Sequence, residues 1–419
     1  MGRLLQGQRR VLRRGRFPRR CREGRCDPQG PPGRHGRTAP RLNRIRPVAL
    51  DLPDFPWDQL VPFKQQAAAV EGGIVDLSVG SPVDPTPAVV RTALAEATDA
   101  HAYPQVAGTP ALREAIADWY GRRQGVTLTP DQVLPTIGSK EFIAGLALWL
   151  GIGRGDTVVF PAAAYPTYEL GAALVGADAL ASDDPAAWPS TTKLVWLNSP
   201  GNPDGRVLSI DELRAAVERA RELDAVIVGD ECYAELGWEP PYDTAPTPTI
   251  LDPRVVGDSV DGVLSVYSLS KQSNLAGYRA AFVAGDARVL AEVLAVRKHT
   301  GMMPPLPVQE AMIVALADES HVQAQKALYR ARRNMLRRAL EGAGFRVDHS
   351  EAGLYLWATR GEPALDTVAW LAERGILVAP GTFYGAVGAE YVRVALTATD
   401  ERIAAAAQRL ASGRRLASA

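Results

Sequence analysis

The chain is 419 residues long, 46% hydrophobic and 22% charged, with 47 basic and 47 acidic side chains. That length exceeds a single hydrophobic core and contains no run of eighteen apolar residues, so two globular domains are expected and a membrane span is not. The charge balance conceals a segregation. Residues 1–46 hold fifteen of the basic groups and two of the acids, leaving 32 basic against 45 acidic side chains in the rest. An acidic globular part gives no footing for nucleic acid.

Residues 1–47 are rich in Arg, Gly and Pro and lack apolar periodicity, so they are expected to be a disordered extension. No apolar stretch follows Arg9-Arg10 or Arg13-Arg14, which argues against a twin-arginine export signal. The segment reads as translated upstream sequence, with Val48 as the initiator if its codon is GTG. Cys21, Cys26 and His35 lack the fourth ligand and the spacing of a zinc site, so no metal is expected. Those two cysteines and Cys232 make no disulfide framework, which fits a reducing cytoplasm.

Residues 48–90 are read as an N-terminal arm packing on a smaller domain. From 91 to 300, short apolar runs alternate with amphipathic helical patterns, the mark of an α/β domain with a mostly parallel sheet and helices on both faces. The expected strands are Val133–Ile137, Thr157–Phe160, Leu194–Leu197, Ala225–Val228, Val263–Tyr267 and Ala280–Ala284. Ser209, followed three residues later by Glu212, predicts a capping-box helix start. Gly151-Ile-Gly-Arg-Gly-Asp156 precedes a strand rather than following one, so it reads as a turn and not as a dinucleotide loop. From 301 to 419 the pattern changes to one long helical stretch, Val308 to Glu341, and then strands near 345–347, 354–358 and 392–396. That is expected to be a small α+β domain.

In an open α/β sheet a ligand sits at the carboxyl ends of the strands, so the polar residues there are the candidates for chemistry. Ser268-Leu-Ser-Lys-Gln-Ser-Asn-Leu-Ala-Gly-Tyr-Arg279 follows the fifth expected strand. Burial lowers the pKa of an amine, and an amine so placed suits carbonyl chemistry through a Schiff base. Ser268, Ser270 and Arg279 around Lys271 supply what a phosphate requires, and an ordinary Ser/Lys turn is the plainer reading of the segment taken alone. Gly138-Ser-Lys-Glu141 opens a helix after the first strand, making Ser139 and Lys140 phosphate candidates or a simple turn and cap. Tyr165 is placed either to stack on a flat heterocycle or to pack in the core. Asn202 is either a donor to a phenolate oxygen or part of a surface turn. Asp230 ends a wholly apolar run, where a pyridinium N–H would resolve an unpaired carboxylate and a cap would be the plainer reading. Tyr233 stands three residues on.

Together these residues, in this order from about residue 50 onwards, resemble the fold-type I pyridoxal-phosphate aminotransferases. The resemblance implies that Lys271 is the Schiff-base and proton-shuttling lysine. Ser139, the backbone of Lys140, Ser268 and Arg279 would hold the phosphate. Tyr165 would stack on the ring, Asp230 would pair with its nitrogen, and Asn202 and Tyr233 would face its phenolic oxygen. Arg393, in Tyr391-Val-Arg-Val-Ala-Leu-Thr397, would clamp the substrate carboxylate, with Gly80 nearby. Tyr103 would reach the phosphate of a partner subunit, implying a homodimer. Ala281 and Asp204 stand where the family usually has Gly and Thr, with no catalytic role put in doubt.

Within the family, Lys271 to Asp286, Asp54-Phe-Pro-Trp57, Arg297 to Met303 and Gly353 to Gly361 are most similar to actinobacterial N-succinyldiaminopimelate aminotransferases. That likeness implies amino transfer between glutamate/2-oxoglutarate and a small amino acid/oxo acid pair of lysine and diaminopimelate synthesis. Arg297 and Lys298 are then candidates for the distal substrate carboxylate, with a solvated helix face as the plainer reading. The other readings are an aromatic, alanine or kynurenine aminotransferase, a pyridoxal-phosphate C–S lyase, or the aminotransferase-like half of a regulator. Residues 1–47 show no DNA-binding helical pattern for the last of these.

Overall fold

The computed structural model describes residues 56–412. The arginine-rich segment, Val48 and the Cys21, Cys26 and His35 group lie outside the described residues. Among the described residues thirteen strands occur in chain order. They are β1 (Val75–Asp76), β2 (Val133–Ile137), β3 (Thr157–Phe160), β4 (Asp178–Ala181), β5 (Thr192–Asn198), β6 (Val226–Asp230) and β7 (Val263–Ser268). After these come β8 (Ala280–Gly285), β9 (Arg346–Asp348), β10 (Tyr355–Thr359), β11 (Ile376–Leu377), β12 (Ala379–Pro380) and β13 (Tyr391–Ala395).

Seven strands form one sheet in the order β2-β8-β7-β6-β5-β3-β4. Only β8 runs against its neighbours, so the sheet is mostly parallel, as expected. Alternate residues of its strands serve two apolar layers. Val158, Leu194, Trp196, Val228 and Leu264 point into one, and Val159, Val195, Ile227, Val263 and Phe282 into the other. Both faces are therefore covered, which is what a near-continuous apolar strand requires. A separate antiparallel sheet, β12-β13-β10-β9, lies in the C-terminal part, and β1 pairs in parallel with β11.

Two expectations are corrected. The stretch 308–341 is not one helix: Leu306–Ala317 and Glu319–Gly342 are separate, because the Asp318 side chain accepts the Ser320 N–H and starts a new helix. Strand β4 was not foreseen. It is a largely exposed edge strand without an apolar run, so it carries no alternation to read. The capping box at Ser209 and Glu212 forms as expected, and Gly151 makes a left-handed turn leading towards β3.

Strand register decides what meets at the carboxyl edge. Asn198 ends β5 opposite Asp230, which ends β6 opposite Val266, two residues before the end of β7 at Ser268. Lys271 sits in the single helical turn Leu269–Gln272 that follows. Because β8 is antiparallel and pairs Ala280 with Ile137, Arg279 arrives at the same edge as Gly138.

Candidate active site

A cavity of about 560 Å³ opens at this edge. Gly80, Ser139, Lys140, Tyr165, Asn202, Asp230, Tyr233, Ser268, Lys271, Arg279 and Arg393 all line it. Sequence reasoning thus brought together residues spread over more than three hundred positions. Tyr103 does not join them within one chain; it is 95% exposed in the loop before helix Pro110–Gln124. Arg297 and Lys298 are corrected as distal contacts. Arg297 is 0% exposed, bonds Glu141 at 2.8 Å and lies over the Trp149 ring, while Lys298 is exposed and does not line the cavity.

Part of the cavity lining forms an anion cradle. Helix Ser139–Trp149 begins after Gly138, whose φ of 76° lies in the left-handed region. A Cβ there would lie 2.1 Å from Arg279 Nη2, so glycine is needed both for the turn and for the close approach of the guanidinium. Ser268 Oγ donates to Ser270 Oγ at 2.8 Å, and Arg279 Nη1 is tied to the Ala276 carbonyl at 2.7 Å. Unpaired helix N–H groups, hydroxyls and a guanidinium are the donor set that a phosphate monoester takes. Gly138→Ala is expected to destabilise the protein by about 1–3 kcal/mol. It should also weaken uptake of a phosphate ester, which thermal melts with and without the added ester would check.

The lysine lines the same cavity. Burial holds the Lys271 ammonium below its usual range, and its Nζ donates to the Gly80 carbonyl. Asp230 is buried, and burial pushes its carboxyl up against the hydrogen bonds it accepts from the Cys232 N–H at 3.2 Å and the Tyr168 hydroxyl at 2.7 Å. It caps no helix; a four-residue turn follows it.

Arg393 occupies a third position. It is 3% exposed and lies in the middle strand of β12-β13-β10. Its guanidinium is sandwiched between the rings of Tyr355 at 3.9 Å and Tyr384 at 4.7 Å. Nη1 donates to Asn202 Oδ1 at 3.0 Å and Nη2 to the Ser78 carbonyl at 2.8 Å, while Nε is buried without a partner. The Asn202 amide NH₂ is left to donate elsewhere.

Tyr355, Trp57, Val79 and Cys232 also line the cavity and were not singled out from the sequence. The Tyr355 hydroxyl lies 3.3 Å from that of Tyr233. Burial works to raise its pKa, but the charges of Arg393 and Lys271 outweigh this and hold it below the usual phenol range. A tyrosine in an alternating strand reads as core, so only the pairing of β10 with β13 could have exposed its role.

Residues 73–410 match the family model described as aminotransferase class I and II. The chain is 57% identical over 361 residues to the 4-dedimethylamino-4-oxo-anhydrotetracycline transaminase of Streptomyces rimosus, across 86% of this chain and 99% of that protein. It is 52% identical over 418 residues to a probable aminotransferase of Mycobacterium tuberculosis, across 97% and 99%. A solved structure of a probable N-succinyldiaminopimelate aminotransferase from Thermus thermophilus aligns with a TM-score of 0.77 at 29% identity, across 85% and 100%.

Proposed function

Because this chain belongs to the class I and II aminotransferases, a pyridoxal-phosphate-dependent family acting on amino acids and oxo acids, we propose a specific division of labour in its cavity. The observation that carries it is a half-buried amine, Lys271, that lines one cavity together with a buried carboxylate and an anion cradle. Those residues fit pyridoxal phosphate: donors suited to a phosphate, and a carboxylate whose burial calls for a cationic partner. When bound, the cofactor supplies an electron sink for charge developing at the substrate α-carbon.

Ser139, the Lys140 backbone, Ser268, Ser270 and Arg279 would hold the phosphate, and Tyr165 would lie against the ring. Asp230 would keep the ring nitrogen protonated, while Tyr233 and the Asn202 amide would donate to the phenolic oxygen. Lys271 anchors the cofactor and, with its ammonium disfavoured by burial, takes the proton from the substrate α-carbon and returns it. Arg393 binds the α-carboxylate with its fork held flat by the two tyrosine rings. The exposure of Tyr103 suits a homodimer in which it reaches the partner's phosphate.

The substrate pair we propose is glutamate/2-oxoglutarate with N-succinyl-LL-2,6-diaminopimelate and its oxo acid, in the cytoplasm. Each of these acids carries a second carboxylate. At the rim the Lys140 side chain is exposed, lies 5.8 Å over the Tyr165 ring and has no carboxylate within ion-pair distance among the described residues. It replaces Arg297 and Lys298 as the distal cation. Lys140→Ala is expected to raise KM for glutamate about tenfold and to leave alanine turnover unchanged, measured by steady-state kinetics.

A second reading rests on the Streptomyces rimosus relative: the Trp57, Val79 and Tyr165 wall would receive a flat polycyclic ketone instead. Half-reaction spectroscopy of the cofactor-loaded protein separates the readings. The panel is glutamate, N-succinyl-LL-diaminopimelate, alanine, phenylalanine, kynurenine and cystathionine, with the 4-oxo-tetracycline as acceptor. Fast amino transfer from the first two supports the proposal. Transfer only to the polycyclic ketone, or pyruvate release from cystathionine, contradicts it.

A further inference from the structure

The two oxygens of the Asp230 carboxylate have different partners. Oδ1 accepts the Cys232 backbone N–H and so belongs to the turn that follows β6. Oδ2 accepts the Tyr168 hydroxyl at 2.7 Å. Tyr168 is fully buried and is not part of the cavity wall, so its hydroxyl reaches Asp230 from the side away from the cavity. The ring cannot drift. It stacks on Trp196 at 5.3 Å and 21°, and it meets Tyr165 edge-on at 6.0 Å. Burial and the neighbouring Asp230 charge push the phenol well above its usual range, so it remains a donor at any working pH. The backbone of Asp230 is fixed as well, since its carbonyl accepts Asn198 Nδ2 at 2.9 Å and the Ser199 N–H at 3.1 Å.

A carboxylate buried this deeply is costly as an anion unless donors face it. We propose that Tyr168 is a positioning residue for the reaction: its hydroxyl holds the Asp230 carboxylate in one orientation, as the anion, against the ring nitrogen of pyridoxal phosphate. The inference rests on the assignment of Asp230 above. Tyr165 and Tyr168 then have separate tasks on one turn, the first against the cofactor ring and the second behind the carboxylate.

Tyr168→Phe removes one oxygen and keeps the stacked ring. The dissociation constant for pyridoxal phosphate is expected to rise about tenfold or more, because a hydrogen bond to a charged group is lost. In ¹⁵N NMR of the protein loaded with ring-labelled cofactor, the nitrogen should lose its proton at a lower pH than in the wild type. On an Asp230→Asn background the same substitution should change affinity less than about twofold, as the coupling is then absent. Equal losses on both backgrounds would mean packing alone and would overturn the proposal, as would wild-type affinity with an unchanged nitrogen titration. A wild-type protein that binds the cofactor with an unprotonated ring nitrogen would overturn the assignment of Asp230 itself, and Tyr168's role with it.

Discussion

Lys271→Ala is expected to lower amino transfer about 10⁴-fold and to abolish the visible colour that the cofactor has when joined to the protein. Two of the proposed functions end together in that variant. The anchoring amine is lost, and so is the base that moves the α-proton. The fold should survive, because Lys271 lies in a single helical turn whose neighbours Leu269, Ser270 and Gln272 supply the buried contacts. Non-covalent uptake of the phosphate ester should persist through Ser139, Ser268 and Arg279. Retained turnover and colour in Lys271→Ala would remove the lysine from the chemistry.

Arg393→Lys should be the next most damaging change, lowering kcat/KM about 10²- to 10³-fold for α-amino acids while pyridoxal-phosphate affinity stays within about twofold. The guanidinium is flat, packed between two rings and bonded to Asn202 and Ser78 through different nitrogens. An ammonium keeps the charge but cannot fill that slot or meet a carboxylate with two parallel bonds. The loss should be far smaller for an amine substrate that has no α-carboxylate. An equal loss for both substrates would assign Arg393 to the architecture of the site instead.

The strand-end residues were legible because each interrupts an apolar run with a group that burial penalises. Asp230 after Val226-Ile-Val and Lys271 beyond Val263–Tyr267 announce themselves in that way. Arg393 was reached by resemblance alone, since an arginine in Tyr-Val-Arg-Val looks like an ordinary outward-facing strand position. Its burial follows from three-strand pairing and from Tyr384, none of which is local. Arg297 misled for the converse reason. Its partner Glu141 lies 156 residues away, so a buried ion pair looked like a solvated helix end. Tyr168 lies three residues beyond Tyr165, but only the 62-residue contact to Asp230 distinguishes its hydroxyl from a core ring.

Lys271 is proposed as the residue that carries the cofactor. Borohydride reduction of the loaded protein followed by peptide mapping reads this out at the residue itself. A stable pyridoxyl-phosphate adduct on Lys271 is expected. A label on Lys140 or another lysine, or none at all, would contradict it.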